Sequence, residues 1–220
     1  ENDIVVVSIF VNPLQFNVKA DYDKYPRNLD SDVEILSQYN TDYIFAPSYD
    51  EIYQDYKIKT FNLNHLNDIL EGEHRPGHFN GVANVVYRLF TIINPDKAYF
   101  GKKDYQQIYV IKKVVQDYNL SVEIVECPII REHDGLAMSS RNKLLGHQYR
   151  EKVAVISQSL FYVNQHFKEK NITEWKKYIQ KIFNEEKLLQ LEYFEFIDLE
   201  NFNILTDAGF SENIIACIAV

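Results

Sequence analysis

Asp96-Lys97-Ala98-Tyr99-Phe100-Gly101-Lys102-Lys103-Asp104-Tyr105-Gln106-Gln107 reads as a short strand, a turn and the start of a helix. Asn94-Pro95 just ahead of it is a turn signal. Ala98-Tyr99-Phe100 suits a short buried strand, and Gly101 allows a tight turn. Ile108, Ile111, Val114, Val115 and Tyr118 then recur at helical spacing. Asp104, with Gln107 three residues on, predicts an N-cap with its capping-box partner. Strand, cationic pair and helix N-terminus in this order make an anion site, because free backbone N–H groups, the helix dipole and two ammonium groups all favour negative charge. A solvated loop with an ordinary cap carries the same pattern, so the stretch decides for an α/β unit and leaves its chemistry open.

Upstream, residues 4–11 (IVVVSIFV) are almost all apolar and β-branched, which predicts a strand covered on both faces, as in a parallel sheet. Asn12-Pro13-Leu14-Gln15-Phe16 follows at the strand's carboxyl end, where open α/β sheets bind ligands. The amides of Asn12 and Gln15 can read hydroxyls or a carboxylate, or can simply form a turn. Leu29, Val33, Leu36 and Tyr39 mark a helix capped by Asn28 or Asp30. Residues 43–46 predict a strand, residues 48–68 read as irregular apart from a possible strand at 58–63, and Val82 to Ile93 carries helical periodicity. His74 and His78 are four apart, but Pro76-Gly77 between them forbids the helix a metal pair needs; a structural loop or a substrate rim is the favoured reading.

Downstream, residues 122–127 predict a strand. The first 128 residues therefore alternate strand and helix, which is a doubly wound α/β domain with a Rossmann-like parallel sheet and helices on both faces. No G-x-G-x-x-G occurs. Arg131, His133, Asp134 and Gly135 lead into Ala137-Met138-Ser139-Ser140-Arg141-Asn142-Lys143, where two hydroxyls, an arginine and a lysine form a compact set of donors to phosphate oxygens. Helices at 147–168 and 173–189, an alternating stretch with aromatics at 191–199 and an apolar run at 214–220 predict a smaller α+β domain after about residue 130.

Composition sets bounds on function. The 220 residues, 46% of them apolar, can build a real core. A net charge of −9 argues against a general nucleic-acid binder. No stretch is apolar and long enough to span a membrane as a helix, and no signal peptide is visible. Cys127 and Cys217 are expected as core thiols in a reducing compartment.

Five stretches, VVVSIFVNPLQF at 5–16, YPR at 25–27, RPGHFNGVANVV at 75–86, YFGKKDYQQ at 99–107 and REHDGLAMSSRN at 131–142, taken together and in this order resemble the pantoate–β-alanine ligase (pantothenate synthetase) family of the nucleotidyltransferase-like Rossmann superfamily. The resemblance implies a cytoplasmic, homodimeric enzyme. It joins pantoate to β-alanine with ATP and Mg²⁺ through a pantoyl-adenylate, releasing pyrophosphate and then AMP. It implies a Rossmann-like ATP- and pantoate-binding domain over 1–130 and a smaller C-terminal domain over 131–220, with 131–142 completing the nucleotide site. By position, Gln15 and Gln107 are implied as the pantoate-binding pair with Asn12 close by, and Lys103 as the phosphate contact. Gly101 and Asp104 are implied as ribose contacts, and Ser139, Ser140 and Arg141 as triphosphate contacts. The backbone near Ile130 and Met138 is implied to line the adenine pocket. Asp32 falls where the family places one of two adjacent acidic residues near Mg²⁺, and Ser31 departs from that pair.

The family also carries an H-x-G-H motif and a first strand ahead of the position of Ile4, and this sequence has no H-x-G-H. The expectation is a chain lacking part of its amino-terminal domain and poorly able to form the adenylate by itself. Two other readings compete: another nucleotidyltransferase of the same superfamily, and an inactive binding or dimerisation fragment.

Overall fold

The computed structural model describes residues 2–207 and 213–220. Its elements follow the chain as β1 (Val6–Ser8), α1 (Lys19–Lys24), α2 (Leu29–Leu36), β2 (Tyr43–Phe45), α3 (Tyr49–Tyr53), α4 (Glu71–His74), α5 (His78–Ile93), β3 (Lys97–Gly101), α6 (Tyr105–Asp117) and β4 (Glu123–Cys127). Then come α7 (His147–Arg150), α8 (Ala154–His166), α9 (Ile172–Glu185), β5 (Tyr193–Asp198) and β6 (Ile214–Ala219). The chain divides into two units, one of residues 1–100 and 104–126, the other of 101–103 and 127–220.

In the first unit β1 and β2 run parallel with Val6 opposite Tyr43 and Ser8 opposite Phe45, and β3 pairs with β4. The centre of this unit is α5. Its apolar stripe, Phe79, Val82, Val86 and Phe90, is buried, and it packs against α6, α3 and a 3-10 turn at Pro13–Gln15. Ile108, Ile111 and Val114 of α6 are buried too, as their spacing requires. Asn28 caps α2, its Oδ1 accepting from the Ser31 N–H at 3.1 Å. The second unit packs α9 on the antiparallel pair β5–β6. Trp175, Ile179 and Phe183 of α9 meet Phe194, Phe196 and Val163, and the Trp175 Nε1–H donates to the Phe167 carbonyl at 3.0 Å.

Several expectations are corrected here. Residues 4–11 yield only three strand residues, none of them buried, and among the described residues β1 pairs with β2. Residues 49–53, read as irregular, form α3 behind a capping box in which Ser48 and Glu51 bond each other's backbone N–H. Residues 58–63 are not a strand. Their backbone is bonded by two amides one helical turn apart on α5. Asn84 accepts from Lys59 N–H at 2.9 Å and donates to Lys59 O at 2.9 Å. Asn80 accepts from Phe61 N–H at 2.9 Å and donates to Lys59 O at 3.1 Å. The Lys59 ammonium lies 3.9 Å from the centre of the Tyr87 ring and 4.6 Å from that of Tyr118. Cys127 and Cys217, expected in the core, are only half-buried.

Asn84 is fully buried and also accepts from the Tyr56 hydroxyl at 3.0 Å. Asn84→Ala strands the Lys59 N–H and that hydroxyl, so it should lower stability by about 2–4 kcal/mol in urea denaturation. A loss below about 0.5 kcal/mol would mean that water replaces the amide.

Candidate functional site

The turn that presents Gln15 is built into α5. Asn12 ends the extended chain with φ −73° and ψ 114°, and Pro13 suits the first position of the 3-10 turn. The Asn12 amide does not reach outward, as a pantoate contact would. It is 1% exposed, its Nδ2 donates to the Gly81 carbonyl at 3.0 Å, and its Oδ1 accepts from the Tyr53 hydroxyl at 3.1 Å and from Leu14 N–H at 3.3 Å. Burial pushes the Tyr53 hydroxyl well above the usual phenol range, so it stays a donor. At Gly81 the two backbones touch: a Cβ there would stand 2.2 Å from Leu14 O and 2.7 Å from Gln15 N. His78 Nδ1 lies 2.7 Å from the Gln15 carbonyl oxygen, and Asn17 Nδ2 donates to Pro76 O at 2.8 Å. The RPGHFNG stretch at 75–81, whose residues up to Phe79 read from sequence as a loop or substrate rim, is therefore the bed on which residues 12–17 lie.

Gly77, at φ 83°, opens α5 and turns His78 inward. Burial holds the imidazole below its ordinary range; Arg75 acts in the same sense, while the bond to Gln15 O and the charges of Glu71 and Asp104 oppose it. Asp104 stands at the N-cap of α6, yet its side chain makes no capping bond, which corrects the capping-box expectation. It ends the 3-10 turn Lys102–Asp104, with φ −100° and ψ 61°. Gln107 is half-buried in the first turn of α6, and α6 packs on α5. Its neighbour Gln106 faces inward and fastens residues 66–71, donating to Leu66 O and Ile69 O at 2.9 Å and accepting from Glu71 N–H at 3.1 Å.

The chain turns directly after Gly101 in the 3-10 turn Lys102–Asp104, but Gly101 itself closes β3 without a positive φ, and a Cβ on it would meet nothing within 4 Å. Lys103 and Asp104 are exposed.

In the second unit a cleft of about 620 Å³ is lined by Glu132, Met138, Ser139, Ser140, Lys143 and Arg150, with Asn142. It begins at a hairpin in which Arg131 bridges Ala137 and Gly135 turns at φ 88°. Met138 N–H donates to Ile130 O at 2.9 Å, so these two backbone groups hold the hairpin together. Ser139 Oγ accepts from Arg141 N–H at 3.3 Å, which starts the 3-10 turn Ser140–Leu144 and leaves a hydroxyl proton to donate. Arg141 is exposed and outside this lining, whereas Arg150, which sequence reading missed, is part of it and paired with Asp134. That bond holds the Asp134 carboxyl below its usual range. Asp32 sits in the first turn of α2, and among the described residues no three His, Cys, Asp or Glu side chains cluster as a metal site.

The sequence profile of the family described as pantoate-beta-alanine ligase matches residues 1–220. The chain belongs to the pantoate–β-alanine ligase family. It is 45% identical to the pantothenate synthetases of Caldicellulosiruptor saccharolyticus, over 92% of this chain and 73% of that one, and of Phocaeicola vulgatus, over 100% and 78%. A crystal structure of pantothenate synthetase from Thermus thermophilus aligns with a TM-score of 0.92 at 36% identity, covering 99% of this chain and 79% of that one. The Francisella tularensis pantoate-beta-alanine ligase, crystallised with beta-gamma ATP and beta-alanine, aligns with a TM-score of 0.77 at 38% identity, covering 89% and 72%. The family's mixed α/β fold with parallel pairing is the fold of this chain. No helix among the described residues is long and apolar enough to cross a membrane.

Because the folded state resists protonating His78 and the unfolded chain does not, stability should fall as pH drops below about 6.5. Chemical denaturation of the wild type and His78→Asn across pH 5–8 tests this. The variant should lack that part of the slope, and identical slopes would take His78 out of it.

Proposed function

We propose that the chain performs the family's reaction, ATP-dependent ligation of pantoate with β-alanine, with its residues in the following roles. The match over residues 1–220, together with 45% identity to pantothenate synthetases, supports the reaction most. Gln15 and Gln107 hold the hydroxyls and carboxylate of pantoate. Neutral amides do this without adding negative charge near a carboxylate that must approach a phosphate. Asn12 acts from behind, fixing the turn that carries Gln15.

A carboxylate oxygen of pantoate attacks the α-phosphorus of ATP, the bond to the bridging oxygen breaks, and pyrophosphate leaves. The amine of β-alanine then attacks the carbonyl carbon of the pantoyl-adenylate. It gives up its proton to water, and AMP departs with the electron pair of the broken C–O bond. Lys103 and the donors Ser139, Ser140 and Arg141 neutralise charge on the phosphates during the first step. Arg150 and Lys143, which line the same cleft as the serines, extend that set. Gly101 leaves open space for the ribose, with Asp104 as its hydroxyl acceptor. The hairpin carrying Ile130 and Met138 offers its backbone to adenine. Mg²⁺, when bound, supplies further neutralisation of the phosphates. Asp32 is the carboxylate offered to it, and one carboxylate suits an ion held mainly by phosphate oxygens. The same reading extends to a cytoplasmic enzyme and to a homodimer, which light scattering on the purified protein would test.

In the full-length natural protein, Lys103→Ala should slow pantoate-dependent ATP–pyrophosphate exchange by about 10²- to 10³-fold and leave the KM for pantoate within about threefold. An unchanged exchange rate removes Lys103 from the mechanism. Gly101→Ala should leave the melting temperature unchanged, since its methyl group meets no protein atom, and raise the KM for ATP severalfold. An unchanged KM for ATP would argue against a ribose beside Gly101.

A further inference from the structure

We propose that His78 is a positioning residue for substrate binding, acting through the Gln15 carbonyl to set the side-chain amide of Gln15. The inference rests on the reading of Gln15 as a pantoate contact. The turn Pro13–Gln15 is fixed at three places. Asn12 ties its start to Gly81 O, the bare backbone of Gly81 carries its middle, and His78 holds its last carbonyl. Of these anchors, His78 is the one bonded to the residue that bears the recognising amide.

A carbonyl oxygen only accepts, so the 2.7 Å contact requires a proton on Nδ1. Burial keeps the ring neutral, which leaves Nε2 as the unprotonated nitrogen. His78 also connects the turn to its surroundings. Its ring packs edge-on to Phe79 with centroids 5.0 Å apart, and the charges of Glu71, Arg75 and Asp104 act on it. Asp104 precedes α6, the helix that bears Gln107 in its first turn. The imidazole thus stands among the turn of Gln15, the start of α5 and the residue ahead of α6. A turn held in this way needs no ordering when pantoate arrives, so its entropy cost is met in folding instead of in binding.

Asparagine separates positioning from packing, because its Nδ2 can occupy the place of histidine Nδ1 and donate the same bond. In the full-length protein, His78→Ala should raise the KM for pantoate about tenfold and leave the KM for ATP within about twofold, the size expected from one lost hydrogen bond. His78→Asn should restore the KM for pantoate to within about twofold of wild type. In a Gln15→Ala background, His78→Ala should add nothing further to that KM. Failure of the asparagine rescue, a parallel rise in the KM for ATP, or full additivity with Gln15→Ala would overturn the proposal. A raised pantoate KM in Gln15→Ala but not in His78→Ala would overturn it while sparing the role of Gln15. An unchanged pantoate KM in Gln15→Ala would overturn that role and the proposal with it. The wild type supplies a test that needs no variant: ¹⁵N spectra of labelled histidine should show His78 protonated at Nδ1 and unprotonated at Nε2, and the reverse tautomer would overturn the proposal.

Discussion

Two backbones touching at Gly81 set the geometry of the first unit. A helix can lie this close to another segment only where it has no side chain, because a methyl group at Gly81 would sit 2.2 Å from Leu14 O. The contact brings the turn onto the helix, and the flanking polar bonds then lock it in register. Asn12 and His78 are useful only because the helix is already within hydrogen-bond reach. The amide recognition assigned to Gln15 therefore depends on the absence of a side chain 66 positions later in the chain, a separation read directly from the sequence.

α5 has a second duty on another part of its surface. Asn80 and Asn84 supply donors and acceptors to residues 59–61 much as a neighbouring strand would. Buried backbone groups must find partners, and side-chain amides serve where no ladder exists. One helix thereby organises the segment that precedes it, the turn near the amino terminus and, through packing, α6.

This explains what could be read from the sequence. The helix at 105–117, the part of α5 from Val82 to Ile93, and the strands at 43–45 and 123–127 carry their own local pattern, whereas the first turn of α5, behind Pro76-Gly77, reads as a loop. The Ser48-x-x-Glu51 signal for α3 was also present in the sequence, but a helix of five residues is too short to show a period. Residues 58–63 look like a strand because Ile58 and Thr60 are β-branched and Phe61 and Leu63 are apolar; their pairing with two asparagines is a tertiary event that no local window contains. In the candidate site, residue types marked the stretches to look at, but side-chain direction did not follow from them. Asn12 and Gln15 are alike in chemistry and three residues apart, yet one is buried among backbone groups and the other ends the turn. Arg150 escaped notice because it lies in a short helix well beyond the Ser139-Ser140 motif and joins that cleft only in three dimensions. His78 read ambiguously for a similar reason, since its partner is a carbonyl 63 residues away.

The second unit holds the chain's single tryptophan, and that indole is fully buried, bonded to Phe167 O and overlain by the Lys170 ammonium. Tyrosines populate the first unit densely, around Tyr53, Tyr56, Tyr87 and Tyr118. The two units thus carry different optical labels. Selectively excited indole emission follows the surroundings of α9 alone, whereas near-ultraviolet tyrosine signals weigh heavily toward the helices around α5. A spectroscopist can watch each half of the polypeptide lose its structure without adding a dye or cutting the chain.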